Sequence, residues 1–331
     1  MQEPPLSQPP FDKDHPFRVL LASRSFGKDS EAAVDVMRAA GCVPIPSPFD
    51  RTLTEKELLQ FVPDIDALVA GSEPVTARVI AAAPRLKIIA RHGVGYDNVD
   101  VEAARARGIP VALTGPVMLD SVADMAMTLM LAIARRLPEA FDSVRAGEWK
   151  RFIGVEMSGK TLGVVGLGQI GRGVCRRAAG FGMRIVAVDT RPDLAFATEM
   201  NIEYLSLNEL LRRADFVTVH APASPETRGL IGAAELSSMK PTAFLINTAR
   251  GELVDETALY KALTTGQIAG AAVDVLQKEP PGESPLLALE NFIATPHVSS
   301  QTTDSLRRMG EVTAENVVRA MQGRAPLYQV V

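Results

Sequence analysis

An apolar run, Thr161–Val165, opens directly into Gly166-Leu167-Gly168-Gln169-Ile170-Gly171. A helix-compatible stretch follows, then a second apolar run, Arg184–Val188, that ends on Asp189. Few patterns restrict a fold as strongly as this one. It reads as strand, glycine turn, helix, strand and acid within 29 residues, and each part has a physical role in holding a dinucleotide. Gly166 permits the tight turn, Gly168 lets the backbone approach a pyrophosphate, and Gly171 lets the helix pack closely on the strand. The helix start, from Gln169 and Ile170 onward, presents N–H groups and a positive dipole end to phosphates. Asp189, 18 residues past Gly171, can accept hydrogen bonds from both ribose hydroxyls, so NAD is the expected cofactor.

The rest of the chain is organised around this unit. From Arg18, strand-like runs at Arg18–Ala22, Ala67–Ala70, Lys87–Arg91 and Pro110–Leu113 alternate with helix-like stretches at Asp29–Ala40, Thr54–Phe61, Val75–Ala82 and Val101–Arg107. Such alternation predicts an α/β fold with parallel sheets covered on both faces. A second series follows Asp189, with strands at Phe216–Val219, Ala243–Ile246, Ala271–Val273 and Phe292–Ala294. Helices at Leu207–Arg212, Ala233–Ser238 and Glu256–Thr264 lie between them. Two longer helices bracket this series. One runs from Asp120, its expected N-cap, to about Arg136, and the other spans about Thr303–Gln322. If the last helix packs back on the N-terminal half, the dinucleotide unit is an insertion and the chemistry sits between domains. The expected boundaries are a leader at 1–17, a substrate domain at 18–113 and 300–331, and a cofactor domain at 114–299.

Composition narrows the function classes. Of the 331 residues, 47% are hydrophobic and 22% charged, with a net charge of −4. There is no basic surplus to draw nucleic acid or an anionic membrane. The apolar run Val122–Ala134 contains an Asp and is shorter than the roughly 20 residues a membrane span needs. Cys42 and Cys175 have no metal-ligand spacing and suggest no disulfide framework, so no metal is expected and a cytoplasmic location is. The five-proline leader has no apolar segment of the kind a signal peptide carries.

Only four histidines can serve acid–base chemistry: His15, His92, His220 and His297. His297 closes Ile293-Ala294-Thr295-Pro296-His297, in the loop after the last strand, where open parallel sheets place ligands. Arg250 follows the strand Ala243–Ile246 and can bind a carboxylate bidentately. Glu279 follows the strand Ala271–Val273, and the succeeding Pro280 favours an extended, fixed backbone suited to aiming its carboxylate.

With these residues in view, the chain resembles the D-isomer-specific 2-hydroxyacid dehydrogenases, in particular the phosphoglycerate dehydrogenase-like and hydroxypyruvate/glyoxylate reductase-like branch. The resemblance rests on ARHGVGYDNVDVEAA, SGKTLGVVGLGQIGR, VTVHAPASPETRGLI, INTARGELVDETAL, AAVDVLQKEP and ATPHVSS, in that order. It implies two Rossmann-like domains, the cofactor domain inserted into a discontinuous, flavodoxin-like substrate domain. It also implies hydride transfer between NAD and C2 of a small 2-hydroxyacid or 2-oxoacid: hydroxypyruvate, glyoxylate or 3-phosphoglycerate. Arg250 would bind the substrate carboxylate and C2 oxygen, His297 would exchange a proton with that oxygen, and Glu279 would support protonated His297. Gly93, Val94 and Gly95 would cradle the carboxylate, and Arg91 matches a basic position that relatives use for phosphate. Asp274 would contact the nicotinamide carboxamide, and His220, Ala221 and Pro222 would wall the adenine side. Thr227, Thr248 and Ala249 complete the implied cofactor set.

The sequence departs from the family pattern in places. Met118 stands near a common Asn, Ser299-Ser300 replaces a common Gly-Gly, and Ala70-Gly71-Ser72-Glu73-Pro74 lacks an arginine seen in phosphoglycerate-oxidising relatives. Glu279 in place of a glutamine argues against the formate dehydrogenases of the same superfamily. A catalytically silent NAD(H)-sensing protein of the same fold is the competing reading. The apolar helix Asp120–Arg136 with Leu137–Phe152 predicts a homodimer, since a helix apolar on several faces needs cover on several sides.

Overall fold

The computed structural model describes residues 16–27 and 31–331. The expected leader, with His15, therefore lies outside the described residues except at its end, where Phe17 already begins the first strand. Residues 28–30, at the expected start of the first helix, also lie outside them. The chain divides into two compact units, Met1–Met118 with Gln301–Val331, and Leu119–Ser300. The first boundary falls five residues later than the 113/114 expected, because the turn Gly115–Met118 stays with the first unit. Arg308 Nε in the C-terminal helix holds it there by donating to Val117 O at 2.9 Å.

In the first unit, five parallel strands are ordered β2-β1-β3-β4-β5. They are β1 (Phe17–Leu21), β2 (Cys42–Pro46), β3 (Ala67–Ala70), β4 (Ile88–Arg91) and β5 (Val111–Ala112). This is the flavodoxin-like order. The sequence reading misses β2, whose CVPIP carries two prolines. They are tolerated because β2 is an edge strand: Pro44 and Pro46 share the side facing away from β1, while the Ser47 N–H, on the other side, reaches Leu21 O at 3.2 Å. Helices α1 (Ala32–Ala39), α2 (Glu55–Phe61), α3 (Ala77–Ala81) and α4 (Val101–Ala106) connect the strands. Thr54 and Glu57 form a reciprocal capping box on α2. The C-terminal helix, Thr303–Met321, packs on α1 and β4, which makes this unit discontinuous in sequence.

His92, just past β4, is 5% exposed. Thr313 Oγ1 donates to Met309 O at 2.8 Å, so it can only accept from His92 Nδ1–H at 3.1 Å. The ring is then neutral, and its Nε2 has no partner among the described residues. Burial, reinforced by the charge of Arg91, pushes its pKa down to about 3. The unfolded chain binds this proton near pH 6.5 and the folded chain does not, so the contribution is full above pH 6.5 and is lost as pH falls toward 3. Urea unfolding between pH 7 and 5 is expected to lose about 1 kcal/mol per pH unit from this group. In His92→Asn the slope should flatten, and an unchanged slope would contradict the assignment.

The second unit opens with α5 (Leu119–Ala134) and α6 (Leu137–Arg145). Asp120 does not cap α5 as expected. It lies inside the first turn, and its carboxylate takes Arg177 at 3.1 Å. The helical stretch Gly115–Ala134, including its opening turn, is long and apolar enough to cross a membrane by length and composition, longer than the sequence reading allows. Half of it is buried inside the protein, and Ala123, Ala126, Leu129, Met130 and Ile133 join the core against the sheet. That is the pattern of a core helix.

Seven parallel strands follow: β6 (Thr161–Val165), β7 (Arg184–Val188), β8 (Glu203–Tyr204), β9 (Phe216–Val219), β10 (Phe244–Asn247), β11 (Gly270–Val273) and β12 (Phe292–Ala294). Between them run α7 (Gln169–Gly180), α8 (Leu194–Met200), α9 (Leu207–Arg213), α10 (Ala233–Ser238) and α11 (Glu256–Thr264). The order β12-β11-β10-β9-β6-β7-β8 reverses direction between β6 and β9. The crevice at their carboxyl ends is where a doubly wound sheet takes a dinucleotide.

Candidate active site

The glycine turn fits a dinucleotide by its own geometry. Gly166 has φ +92°, and a side chain there would put its Cβ 2.7 Å from Ala221 N. The turn after β6 thus lies directly against the start of the loop after β9. A Cβ at Gly171 would strike Gly166 O, whereas one at Gly168 would meet open space. Gly168 N-caps α7, so the first helical N–H groups, beginning with Gln169 and Ile170, lie at the turn. Asp189 Oδ2 accepts from Leu167 N–H and Oδ1 from Arg191 N–H, both at 2.7 Å. The acid therefore ties the glycine turn to the end of β7, and each oxygen keeps a second acceptor position for a ribose hydroxyl.

The loop after β9 is self-closed. Thr227 Oγ1 donates to Pro222 O at 2.7 Å, and Ser224 N–H bonds the same hydroxyl at 2.8 Å. His220 Nε2 pairs with Thr218 Oγ1 at 2.9 Å, and burial lowers its pKa to about 4. Its ring is neutral at physiological pH. After β10, Asn247 accepts from Ala249 N–H at 3.0 Å and donates to Arg250 O at 2.8 Å, which shapes the Thr248–Arg250 turn. Thr248 Oγ1 is buried without a partner among the described residues, a polar atom suited to a bound cofactor. Together these residues fit the dinucleotide.

Three candidate catalytic side chains come from the loops after β10, β11 and β12. Gly251 explains how two of these loops approach, since a Cβ there would strike the backbone of Leu276 and Gln277. Glu279 Oε2 receives His297 Nδ1 at 2.8 Å, and its Oε1 accepts from Leu276 N–H at 3.0 Å. This assigns the proton to Nδ1 and leaves Nε2 to work. Burial acts to raise the Glu279 pKa, but the His297 hydrogen bond and the charges of His297 and Arg250 hold it below its ordinary value. The Glu279–Pro280 bond is cis rather than the plain extended link the sequence suggests. Arg250 Nη1 donates to Ala249 O at 2.7 Å.

Asp274 directly follows β11. It is 1% exposed, and its carboxylate binds the loop that carries His297. The donors Thr295 and Ser299, with Ser121 behind them, escape the sequence reading, and the only signal is the Ser299-Ser300 departure from Gly-Gly.

In the first unit, Gly93-Val94-Gly95 follows β4. Thr114 N–H holds Gly93 O at 3.1 Å, and Asn98 Nδ2 bridges Gly71 O at 3.0 Å and Glu73 O at 2.5 Å. Arg91 Nη1 turns back to Ala70 O at 3.2 Å and His92 O at 3.3 Å. Glu73, which the sequence reading mentions only for its lack of arginine, is 1% exposed, with Oε2 on Gly71 N–H at 2.5 Å. Burial raises its pKa, against the opposing effects of that hydrogen bond and of Arg91.

Comparison with known proteins matches this geometry. The profile for the D-isomer specific 2-hydroxyacid dehydrogenase NAD binding domain matches residues 127–299. A glyoxylate reductase of Korarchaeum cryptofilum is 45% identical over 281 residues, 82% of this chain and 85% of the relative. A D-3-phosphoglycerate dehydrogenase of Methanocaldococcus jannaschii is 44% identical over 297 residues, 88% of this chain but only 56% of the relative. The chain thus spans little more than half the length of that relative. The crystal structure of the TT0316 protein from Thermus thermophilus superposes with a TM-score of 0.87 at 40% identity, covering 95% of this chain and all of the other. The chain belongs to the D-isomer specific 2-hydroxyacid dehydrogenase family, with Leu119–Ser300 as its NAD-binding unit.

Proposed function

We propose that this chain is an NAD-dependent dehydrogenase acting at C2 of a small D-2-hydroxyacid or 2-oxoacid. The observation that carries the reading is the 2.8 Å His297–Glu279 pair, formed at the carboxyl edge of the sheet that presents the dinucleotide turn. Bound NAD(H) supplies or accepts the hydride. Arg250 binds the substrate carboxylate and the C2 oxygen, where negative charge grows during reduction. His297 Nε2 gives that oxygen its proton in reduction and removes it in oxidation. Glu279 keeps the imidazole oriented and favours its charged form.

The substrate class we favour is unphosphorylated, such as glyoxylate or hydroxypyruvate. Arg91, which the resemblance matches to a basic position used for phosphate, donates to main-chain oxygens. NAD(H) is preferred over NADP(H) because Asp189 would repel a 2′-phosphate. A panel of 2-oxoacids, with and without phosphate, assayed with NADH and NADPH tests both statements. No turnover of any 2-oxoacid would sink the dehydrogenase reading. A preference for the phosphorylated acids, or equal kcat/KM with both cofactors, would sink the finer ones.

Charge on Glu279 gives a signed expectation. Glu279→Gln keeps the shape but removes the anion, which disfavours the imidazolium that reduction needs. The upper pH limit of reduction is expected to fall. A profile identical to wild type would break the proposed pairing.

A homodimer accompanies this reading. Phe141 and Val144 on α6 are exposed, and beyond it Trp149 is 83% and Ile153 92% exposed. Apolar side chains grouped this way need cover. Sedimentation should give twice the 35.5 kDa chain mass, and Trp149→Glu with Ile153→Glu should shift it toward one. A wild-type monomer at micromolar concentration would refute the dimer. A reducing cytoplasm suits the buried free thiols of Cys42 and Cys175. Nothing in the proposed chemistry calls for nucleic acid or a membrane.

A further inference from the structure

We infer that Ser299 is a positioning residue for His297 and that it acts through Asp274, an inference that takes its kinetic meaning from the dehydrogenase reading above. An ionised carboxylate offers about four acceptor positions. In Asp274 all four are filled from one loop. Oδ1 accepts from Thr295 Oγ1 at 2.6 Å and Val298 N–H at 2.8 Å, and Oδ2 accepts from Ser299 N–H at 2.8 Å and from the Ser299 hydroxyl. His297 lies inside that loop, and its N–H bonds Asp274 O at 3.0 Å and Thr295 O at 2.9 Å. Its φ is +55°, a left-handed conformation that a non-glycine residue keeps only when its surroundings over-determine it. Ser121, in the first turn of α5, donates its hydroxyl to Ser299 O and anchors the loop from behind. Ser121 and Ser299 are both 5% exposed, so water does not compete for these bonds.

A glycine at 299, as in the common family motif, would supply the N–H but no hydroxyl. One acceptor position on Oδ2 would stay open for another donor. Serine closes it. In this chain Asp274 therefore holds the His297 loop through both carboxylate oxygens.

Ser299→Ala and Ser299→Gly in the full chain test the inference. The charged groups around His297 are Glu279 on Nδ1, Arg250 beside Glu279, and Asp274 beneath the loop. A loosened loop should pair less with Glu279, so the His297 Nδ1–H NMR signal should weaken or move toward that of an unpaired imidazole. The value of kcat for 2-oxoacid reduction should drop about tenfold, because small misplacements of a catalytic group are costly. The KM for the 2-oxoacid and the Kd for NADH should stay within about twofold, since Ser299 contacts neither by this assignment. Ser121→Ala, one contact further back, should show the same changes in smaller measure. An unchanged kcat and an unchanged Nδ1–H signal, even with a lowered Tm, would reduce Ser299 to packing and overturn the inference. A large rise in NADH Kd at constant kcat would also overturn it, by making the hydroxyl a cofactor contact. The Nδ1–H signal is read without turnover. A wild type that reduces no 2-oxoacid would count against the dehydrogenase reading while that signal still decides this one.

Discussion

His297→Asn should lower turnover by about 10²–10⁴ while NADH still binds and Tm stays near wild type. Asparagine is the informative replacement for two reasons. It tolerates the left-handed backbone, φ +55°, better than most residues, so the loop is not strained further. Its side-chain amide can also donate to Glu279 where Nδ1 does now. What it lacks is a group that can give and take a proton near neutral pH. A loss of turnover with cofactor binding intact would therefore isolate the proton transfer. Retention of more than a tenth of wild-type kcat would remove His297 from the acid–base role.

Arg250→Ala is expected to raise KM and lower kcat together, with kcat/KM down by about 10²–10⁴. The substitution is clean because the turn does not depend on the guanidinium alone. Asn247 holds Arg250 O at 2.8 Å and Ala249 N–H at 3.0 Å, and the Arg250 backbone is extended, φ −146°, which any residue adopts. Arg250→Lys should recover part of the KM but little of the kcat, since an ammonium is a point charge without the planar fork that matches a carboxylate. A rise in KM alone would limit Arg250 to ground-state binding. A kcat/KM within threefold of wild type would remove it from the site.

Some of this protein was legible without coordinates because the information was local. A glycine that needs positive φ, such as Gly166, is visible in a six-residue pattern. Strands that are short apolar runs bounded by turns, such as Ala67–Ala70 and Phe216–Val219, lie where that pattern puts them. Failures occurred where local rules were outvoted. The prolines of Cys42–Pro46 argue against a strand until an edge position removes the need for their N–H groups. Asp120 looks like a cap until Arg177, 57 residues away, claims its carboxylate. Glu73 draws notice in the sequence only for the arginine its loop lacks, and it is the fold that buries it.

Sequence alone determined the dinucleotide turn, the alternation that builds parallel sheets, and which arginine, glutamate and histidine stand after which strand. These depend on backbone conformation and on periodicities of two or 3.6 residues, both written in neighbouring letters. The His297–Glu279 pairing is an expectation from the resemblance, and only the tertiary structure gave its 2.8 Å geometry across 18 residues and showed that Gly251 brings the arginine loop against the glutamate loop. It also decided that Asp274 faces the loop of His297 with all four acceptor positions filled. The physical reason is that a parallel sheet places the carboxyl ends of all its strands on one edge. Side chains distant in sequence become hydrogen-bond partners there according to strand order and register. Neither is expressed in the spacing between the residues themselves.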